Sequence, residues 1–132
     1  MTIYIASSWK NQHAVELLTY ILEERGSEVK SFVREAAVAE NIAKTGGIDA
    51  WIGSLDGERK FRFDTTNAMC SDVVIYIGPS GTDAWAEIGA AFARGVPILG
   101  LWAKGECSGL MRRMVSKWFD HFEDLISELY GV

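Results

Sequence analysis

Cysteine, histidine and proline are the scarce residue types of this chain, which has two of each among its 132 residues. Cys70 and Cys107 lie far apart and form no CxxC pair, so with only two histidines the chain offers no zinc-ligand spacing. We therefore expect no metal site. We expect the two thiols to be buried or chemically idle in a reducing compartment.

Long apolar runs and an excess of basic residues are also missing. No stretch approaches the roughly 18 apolar residues of a membrane-spanning helix, and the start, MTIYIASSWK, lacks the basic region of a signal peptide. The net charge of -5 argues against nucleic acid or an anionic membrane as a partner, because both are bound by clustered Lys and Arg. We expect a cytoplasmic protein that binds a small molecule.

Short apolar runs alternate with segments of helical period along residues 1–132, which we expect to form one domain. The predicted strands are Thr2–Ala6, Glu28–Val33, Asp72–Ile77, Val96–Leu101 and a short edge strand, Trp118–Phe122. The predicted helices are Gln12–Glu24, Arg59–Cys70, a helix through Ala84 and Phe92 that ends at Gly95, Met111–Lys117, and Glu123–Tyr130. Residues 35–57 show no clear period. The alternation predicts an α/β three-layer sandwich with a central, mostly parallel five-stranded sheet of the flavodoxin/Rossmann-like kind.

Two turns follow predicted strands and open onto helices. They are ASSWKN, residues 6–11, and GPSGT, residues 78–82. In a parallel sheet such turns lie where ligands bind, and the helix N-termini favour an anion. Neither turn is a GxGxxG or Walker loop. Ser8, Ser80 and Thr82 are therefore candidates for substrate or phosphate binding, and plain helix capping is the alternative for each.

Glu87 occupies an unusual position on the helix after the third strand. It follows Asp83 by four positions, and like charges at this spacing disfavour an isolated helix. Around the helix it lies about 60° from Ala84, the centre of the apolar stripe. No basic residue at 90 or 91 pairs with it, and its neighbours are small. The pattern predicts that Glu87 faces a ligand cleft. The alternative is that Asp83 and Glu87 are both solvent-exposed surface acids, and this alternative fits Asp83 better than Glu87.

The stretch SDVVIYIGPSGTDAWAEIGAAFARGVPILGL resembles the core of the nucleoside 2-deoxyribosyltransferase superfamily, which includes the 2'-deoxynucleoside 5'-monophosphate N-glycosidases. The similarity extends over most of the chain, through the IYIASS turn, an acid ahead of the third strand, the Glu-Ile-Gly helix and the PILGL strand. It implies cleavage or transfer of the N-glycosidic bond of a (deoxy)nucleoside or its 5'-monophosphate, with no cofactor. Whether the chain is a hydrolase or a transferase stays open.

The resemblance also implies roles for particular residues. Glu87 falls on the nucleophile that attacks the anomeric carbon, and Asp64 on the acid that assists protonation of the leaving base. Tyr4 and Ser8 fall on a first-strand tyrosine and a phosphate-binding serine of the monophosphate hydrolases.

Two turns depart from the family pattern. Transferases carry an aspartate, and hydrolases a serine, six residues before the glutamate, where this chain has Gly81. The first turn lacks the Gly-Pro of many transferases. The candidate substrate-binding residues of these turns are Ser7, Ser8, Trp9, Ser80, Gly81, Thr82 and Asp83.

Arg112 lies in CSGLMRRMVSKW, which resembles a hydrolase stretch that reaches into the neighbouring subunit's site. With one gap, Arg112 falls on a phosphate-binding serine, which implies a homodimer whose sites borrow Arg112. A guanidinium suits a phosphate because it donates two parallel hydrogen bonds. The alternative is a solvated arginine pair, Arg112 and Arg113.

Two other function classes stay open. ASSWKN and a single glutamate also resemble TIR-type NAD-cleaving domains, and a non-catalytic nucleotide-binding module is the third possibility. Among the aromatic residues, Trp85 and Phe92 are predicted to lie in the core. Trp9 and Trp51 are predicted to stack on the base, and Trp102 to line the cleft or a subunit contact.

Overall fold

A computed structural model describes residues 1–34 and 38–131 of the chain. Its strands are β1 (Thr2–Ser7), β2 (Glu28–Lys30), β3 (Val73–Ile77), β4 (Ile98–Leu101) and β5 (Lys117–Phe119). Its α-helices are α1 (Gln12–Glu24), α2 (Val38–Thr45), α3 (Ile48–Ile52), α4 (Leu55–Cys70), α5 (Thr82–Ala93) and α6 (Phe122–Tyr130).

The five strands form one sheet in the order β2-β1-β3-β4-β5. Each neighbouring pair is parallel, and the register places Tyr4 beside Val74 and Ala6 beside Tyr76. The chain order reverses between β1 and β3, so their carboxyl ends mark the switch point at which such sheets bind ligands. The predicted α/β fold with a parallel five-stranded sheet is confirmed.

Helices cover both faces of the sheet because side chains alternate along each strand. Ile3, Ile5 and Ile75 face α1 and α6, in a core with Val15, Leu18, Leu22, Leu125 and Ile126. Tyr4, Ala6, Val74 and Tyr76 face α4 and α5, in a second core with Ala68, Ala84, Ile88 and Ala91. Both tyrosines therefore lie on the face that also carries Glu87.

The start of α4 corrects the prediction, because the helix begins at Leu55 rather than Arg59. Ser54 caps it by accepting a hydrogen bond of 3.1 Å from the backbone N–H of Gly57. A Cβ at Gly57 would lie 2.1 Å from the carbonyl oxygen of Trp51. The glycine therefore lets the first turn of α4 pack closely against the end of α3. Residues 38–57 also contain α2 and α3, which the sequence did not predict, and residues 35–37 lie outside the described residues.

Sheet pairing also moves other boundaries. The predicted helix Met111–Lys117 is wrong: residues Leu110–Met114 form a 3-10 turn, and β5 begins at Lys117. The backbone N–H of Ser116 bonds to Ile98 and that of Trp102 to Phe119, so contacts with β4 set this strand. It ends at Phe119 rather than Phe122. Likewise β2 ends at Lys30, ahead of the predicted Val33, because a 3-10 turn follows.

The predicted burial of Phe92 is wrong, and so is the first of the two alternatives, buried or idle, predicted for the cysteines. The side chain of Phe92 is 55% exposed, since the buried stripe of α5 narrows to Ala84, Ile88 and Ala91 and Phe92 lies at its edge in the last turn. Trp85 does pack against the core. Cys70 and Cys107 are free thiols, but both are exposed rather than buried. Within the described residues, every helix is too short or too polar to cross a membrane.

Candidate active site

Tyr4 and Glu87 meet between the sheet and α5. The phenol of Tyr4 donates a hydrogen bond of 2.7 Å to Oε1 of Glu87. Tyr4 is almost fully buried, at 2% exposure, because the strand's alternation turns Ile3 and Ile5 to the opposite face. The edge position predicted for Glu87 thus faces a buried hydroxyl on β1.

Asp64 comes to the same site from α4, which packs alongside α5. Its Oδ1 accepts a hydrogen bond of 2.5 Å from Nζ of Lys60, one helical turn earlier. The two side chains are 19% and 15% exposed. Asp64 lies close enough to Tyr4 and Glu87 that its charge raises the pKa of each. We call Tyr4, Lys60, Asp64, Asp83 and Glu87 the acid cluster.

Within the acid cluster, the pKa of the Glu87 carboxyl is raised to about 7. Burial is the main cause, and the charge of Asp64 adds to it; the Tyr4 hydroxyl and Lys60 act in the opposite direction. A carboxyl with this pKa exchanges its proton near neutral pH, which suits a group that must be ionised yet poorly solvated.

The pKa values of Asp64 and Tyr4 are shifted as well. Burial raises the pKa of Asp64, while the Lys60 ammonium lowers it. Burial and the charges of Glu87 and Asp64 raise the pKa of Tyr4 far above its ordinary value. Tyr4 therefore stays protonated at working pH and always donates a hydrogen bond, whereas Asp64 and Glu87 can exchange protons.

A second set of polar side chains surrounds the hydroxyl of Tyr76. This oxygen accepts hydrogen bonds from Ser80 at 2.8 Å and from Nε1 of Trp85 at 3.1 Å, and it donates one of 2.7 Å to Glu106. Glu106, whose side chain is 1% exposed, forms an ion pair with Arg112. The guanidinium of Arg112 lies 4.4 Å from the ring centroid of Trp85. We call these five residues the Tyr76 cluster.

The two clusters lie on opposite flanks of α5. Trp85 and Glu87 are two positions apart, which is about 200° around an α-helix. Ser80, predicted to bind the substrate phosphate, and Arg112, predicted to reach the neighbouring subunit's site, both lie in the Tyr76 cluster and contact residues of their own chain. The predicted phosphate-binding role of Arg112 in a neighbouring subunit's site stays a prediction.

The turn after β1 is tied to the turn after β3. Ser7 donates a hydrogen bond of 2.6 Å to the carbonyl of Ile77, and the amide of Asn11 donates one of 2.8 Å to the carbonyl of Pro79. Ser8 accepts a bond of 3.3 Å from the backbone N–H of Lys10, so here it caps a 3-10 turn. These bonds hold the two candidate ligand loops side by side.

The remaining residues of the second loop open α5. Gly81 is its N-cap and makes no side-chain cap, and Thr82 is its first residue. Asp83 lies in the exposed first turn, as the surface-acid alternative predicted, yet its charge still raises the pKa of Glu87.

Three aromatic candidates occupy separate places. Trp9 lies beyond the ends of β1 and β2, and its side chain is 46% exposed. The centroid of its ring is 4.4 Å from that of Phe32. Trp102 is 44% exposed and packs edge-on against Trp118. Trp51 is half-buried, and its Nε1 has no hydrogen-bond partner among the described residues.

Sequence reasoning missed three residues of these sites. Lys60 could have been found, because it precedes Asp64 by four positions and would share its helix face. Asn11 and Glu106 gave no sequence signal for the contacts that place them here, since Pro79 and Tyr76 lie 68 and 30 positions away from them in the chain.

Other surfaces have fewer candidate catalytic groups. An open groove of about 440 Å³ beside β5 and α6 is lined by Lys117, Phe119, Asp124, Ser127 and Glu128, and it lacks a buried acid. No three His, Cys, Asp or Glu residues within 1–34 and 38–131 are grouped to hold a metal ion.

The chain shares its fold with proteins of known structure. A 2-deoxyribosyltransferase from Bacillus psychrosaccharolyticus superimposes with a TM-score of 0.72 at 21% identity, over 95% of this chain and 90% of the other. The CMP N-glycosidase BcmB of Clostridium botulinum superimposes with a TM-score of 0.63 at 19% identity, over 100% of both chains. A conserved protein of Enterococcus faecalis V583 superimposes with a TM-score of 0.66 at 16% identity, over 99% of this chain and 98% of the other.

No family model matches the sequence. No curated protein matches it in sequence either. The structural matches nevertheless confirm the resemblance predicted from the sequence, at the level of the fold.

Proposed function

We propose that the chain cleaves or transfers the N-glycosidic bond of a (deoxy)nucleoside or its 5'-monophosphate, with Glu87 as the nucleophile. The observation that carries the proposal is the buried Glu87 carboxyl, hydrogen-bonded to Tyr4 and beside Asp64. The fold, shared with a 2-deoxyribosyltransferase and a CMP N-glycosidase, supports the same chemistry.

The first step forms a bond from a carboxylate oxygen of Glu87 to C1' of the sugar and breaks the bond from C1' to the base nitrogen. Asp64, in its protonated form, gives its proton to the leaving base. In the second step water, or a second base, attacks C1' and releases Glu87, while Asp64 takes back a proton. This is the double displacement of retaining glycosidases.

Tyr4 keeps one oxygen of Glu87 in a hydrogen bond throughout. Because its pKa lies far above the ordinary value, the phenol donates rather than ionises, and it stabilises the ionised carboxylate. The other carboxylate oxygen is then directed to the sugar. At pH near 7 a substantial fraction of Glu87 is ionised.

The two loops beyond β1 and β3 are the proposed binding site for the rest of the substrate. Trp9 offers an exposed ring on which a base can stack, and the N-terminus of α5 at Gly81 and Thr82 offers backbone N–H groups. Arg112 is the candidate for binding a 5'-phosphate across a homodimer interface, and this role requires the guanidinium to leave Glu106.

Incubation with deoxynucleosides, ribonucleosides, their 5'-monophosphates and NAD, followed by chromatography for released base, tests the proposal. Release from monophosphates alone indicates a hydrolase, and exchange with an added second base indicates a transferase. Release of nicotinamide instead would support a TIR-like NAD glycohydrolase. Binding without any release would indicate a non-catalytic nucleotide-binding module and overturn the proposal.

A further inference from the structure

Lys60 and Asp64 form an ion pair that differs from the other ion pairs of α4. The pairs Asp56–Arg59 and Glu58–Arg62 place the acid before the base, the order that suits a helix, and their side chains are at least half exposed. Lys60 precedes Asp64, the less favourable order, and both side chains are mostly buried.

Burial makes helix stability a poor explanation of this pair. Removing two charges from water costs several kcal/mol per ion, and apolar residues of similar size often stabilise a protein as well or better. The position of the pair is therefore better explained by the groups that it faces. Asp64 lies near Tyr4 on β1 and near the carboxyls of Glu87 and Asp83 on α5, and Lys60 lies beside it on α4.

The acid cluster thus holds three carboxyls and one ammonium. A nucleophile and an acid can work together only if one carboxyl is ionised while the other holds a proton. Without a cation nearby, the two buried carboxyls of Asp64 and Glu87 would both hold their protons more tightly, and Glu87 would stay neutral.

We propose that Lys60 is a positioning residue, which orients Asp64 and supplies the positive charge that leaves the Asp64–Glu87 pair with one proton at neutral pH. The inference rests on the proposed function, because it concerns the proton that Asp64 and Glu87 exchange during the reaction. Lys60 acts through Asp64 and does not have to touch the substrate.

Lys60→Met tests this role through the pH dependence of kcat/KM. Without the ammonium, both carboxyls hold their protons more tightly, because a nearby cation lowers a carboxyl pKa by roughly 1–3 units. We expect the whole profile to move to higher pH by about one unit. At about pH 6.5 the variant should lose up to about tenfold in rate, and it should recover near pH 8.5.

Two matched variants complete the experiment. Lys60→Arg keeps the charge and should retain the wild-type profile within a few tenths of a pH unit. Arg62→Met removes an equal charge from the exposed face of α4, where the side chain is 73% exposed, and should leave the profile unchanged. If Lys60→Met lowers the rate equally at all pH values, the proposal is wrong. Lys60→Gln, with the same expected displacement, replaces Lys60→Met if that variant does not fold.

A direct titration separates this inference from the proposed function. The carboxyl carbons of Asp64 and Glu87 can be followed by 13C NMR, with assignment from Asp64→Asn and Glu87→Gln. Both titrations should move to higher pH in Lys60→Met, whether or not a substrate has been found. Titrations that coincide with those of the wild type would overturn the role of Lys60. A wild type that releases no base would overturn the proposed function alone.

Discussion

Tyr4 and Glu87 are separated by 83 positions in the chain, yet the phenol of one donates a 2.7 Å hydrogen bond to the carboxyl of the other. The bond joins a central strand to the helix that follows β3. It lies on the α4 side of α5, where the charge of Asp64 also acts on Glu87.

Glu87→Gln should abolish base release, because an amide cannot form the glycosyl-enzyme ester. Loss of a covalent nucleophile costs several orders of magnitude in kcat. Rates are compared by chromatography, with circular dichroism as the test of folding. Glu58→Gln, at an exposed acid of α4, serves as control. Turnover of Glu87→Gln within about tenfold of wild type would remove the nucleophile role from Glu87.

Tyr4→Phe should move the acidic limb of the kcat/KM profile to higher pH. The Tyr4 hydroxyl lowers the pKa of Glu87, so its loss leaves the carboxyl protonated over a wider range. We expect a loss of roughly 10- to 100-fold near pH 6, the size of one charge-assisted hydrogen bond, and a smaller loss near pH 8.5. An acidic limb at the wild-type position would contradict this account.

Asp64→Asn should slow cleavage most for substrates whose base leaves poorly. The substitution removes the proton donor, and good leaving groups need that proton least. A series of nucleosides with bases of different basicity measures the effect as a slope of log rate against base pKa. An equal loss across the series would mean that Asp64 only positions the sugar.

Glu87 should make the fold less stable as pH rises. Its pKa in the folded chain is about 7 against an ordinary value of 4.5, so the folded state binds the proton more tightly than the unfolded state. The free energy of unfolding therefore falls as pH rises through this window, by up to about 3 kcal/mol. In Glu87→Gln the free energy of unfolding should not fall in this way, because the amide does not ionise.

Urea unfolding near pH 4 and near pH 8 measures the effect. The Gln variant should exceed wild type by about 2–3 kcal/mol near pH 8 and match it closely near pH 4. The control Glu58→Gln should differ little from wild type at both values. A constant difference at all pH values would mean that Glu87 ionises in the fold as it does in water.

Arg112→Ala should destabilise the chain, because it leaves the carboxyl of Glu106 buried without its cation. Breaking such a pair costs about 3–5 kcal/mol. The double variant Glu106→Gln, Arg112→Ala should recover a large part of that loss in urea unfolding. If the single and double variants are equally stable, Glu106 does not depend on Arg112.

The double variant also tests the predicted phosphate role. With the fold recovered, loss of Arg112 should raise KM for 5'-monophosphates by roughly 10- to 100-fold and leave nucleosides unchanged, as expected for one charge-assisted contact. Analytical ultracentrifugation checks the dimer that this role requires. A monomer, or equal effects on both substrates, would favour a nucleoside substrate.

Much of the fold could be predicted because it depends on neighbours along the chain. The limits of α1 follow from apolar spacing and from Gly26, which adopts a φ of +90° just past its end. The buried run of β3 likewise reads directly as a strand covered on both faces. Glu87 could be selected for a similar reason, since its angle from Ala84 is a local property of the helix.

The tertiary structure alone decided which residues meet. The α4/α5 side of the sheet brings Tyr4, Asp64 and Glu87 together, whereas Arg112 lies on the other flank of α5 against Glu106. The start of β5 and the exposure of Phe92 also depend on elements distant in the sequence. Local periodicity determines which face of a helix or strand is apolar, but the partners across that face depend on how the whole chain packs.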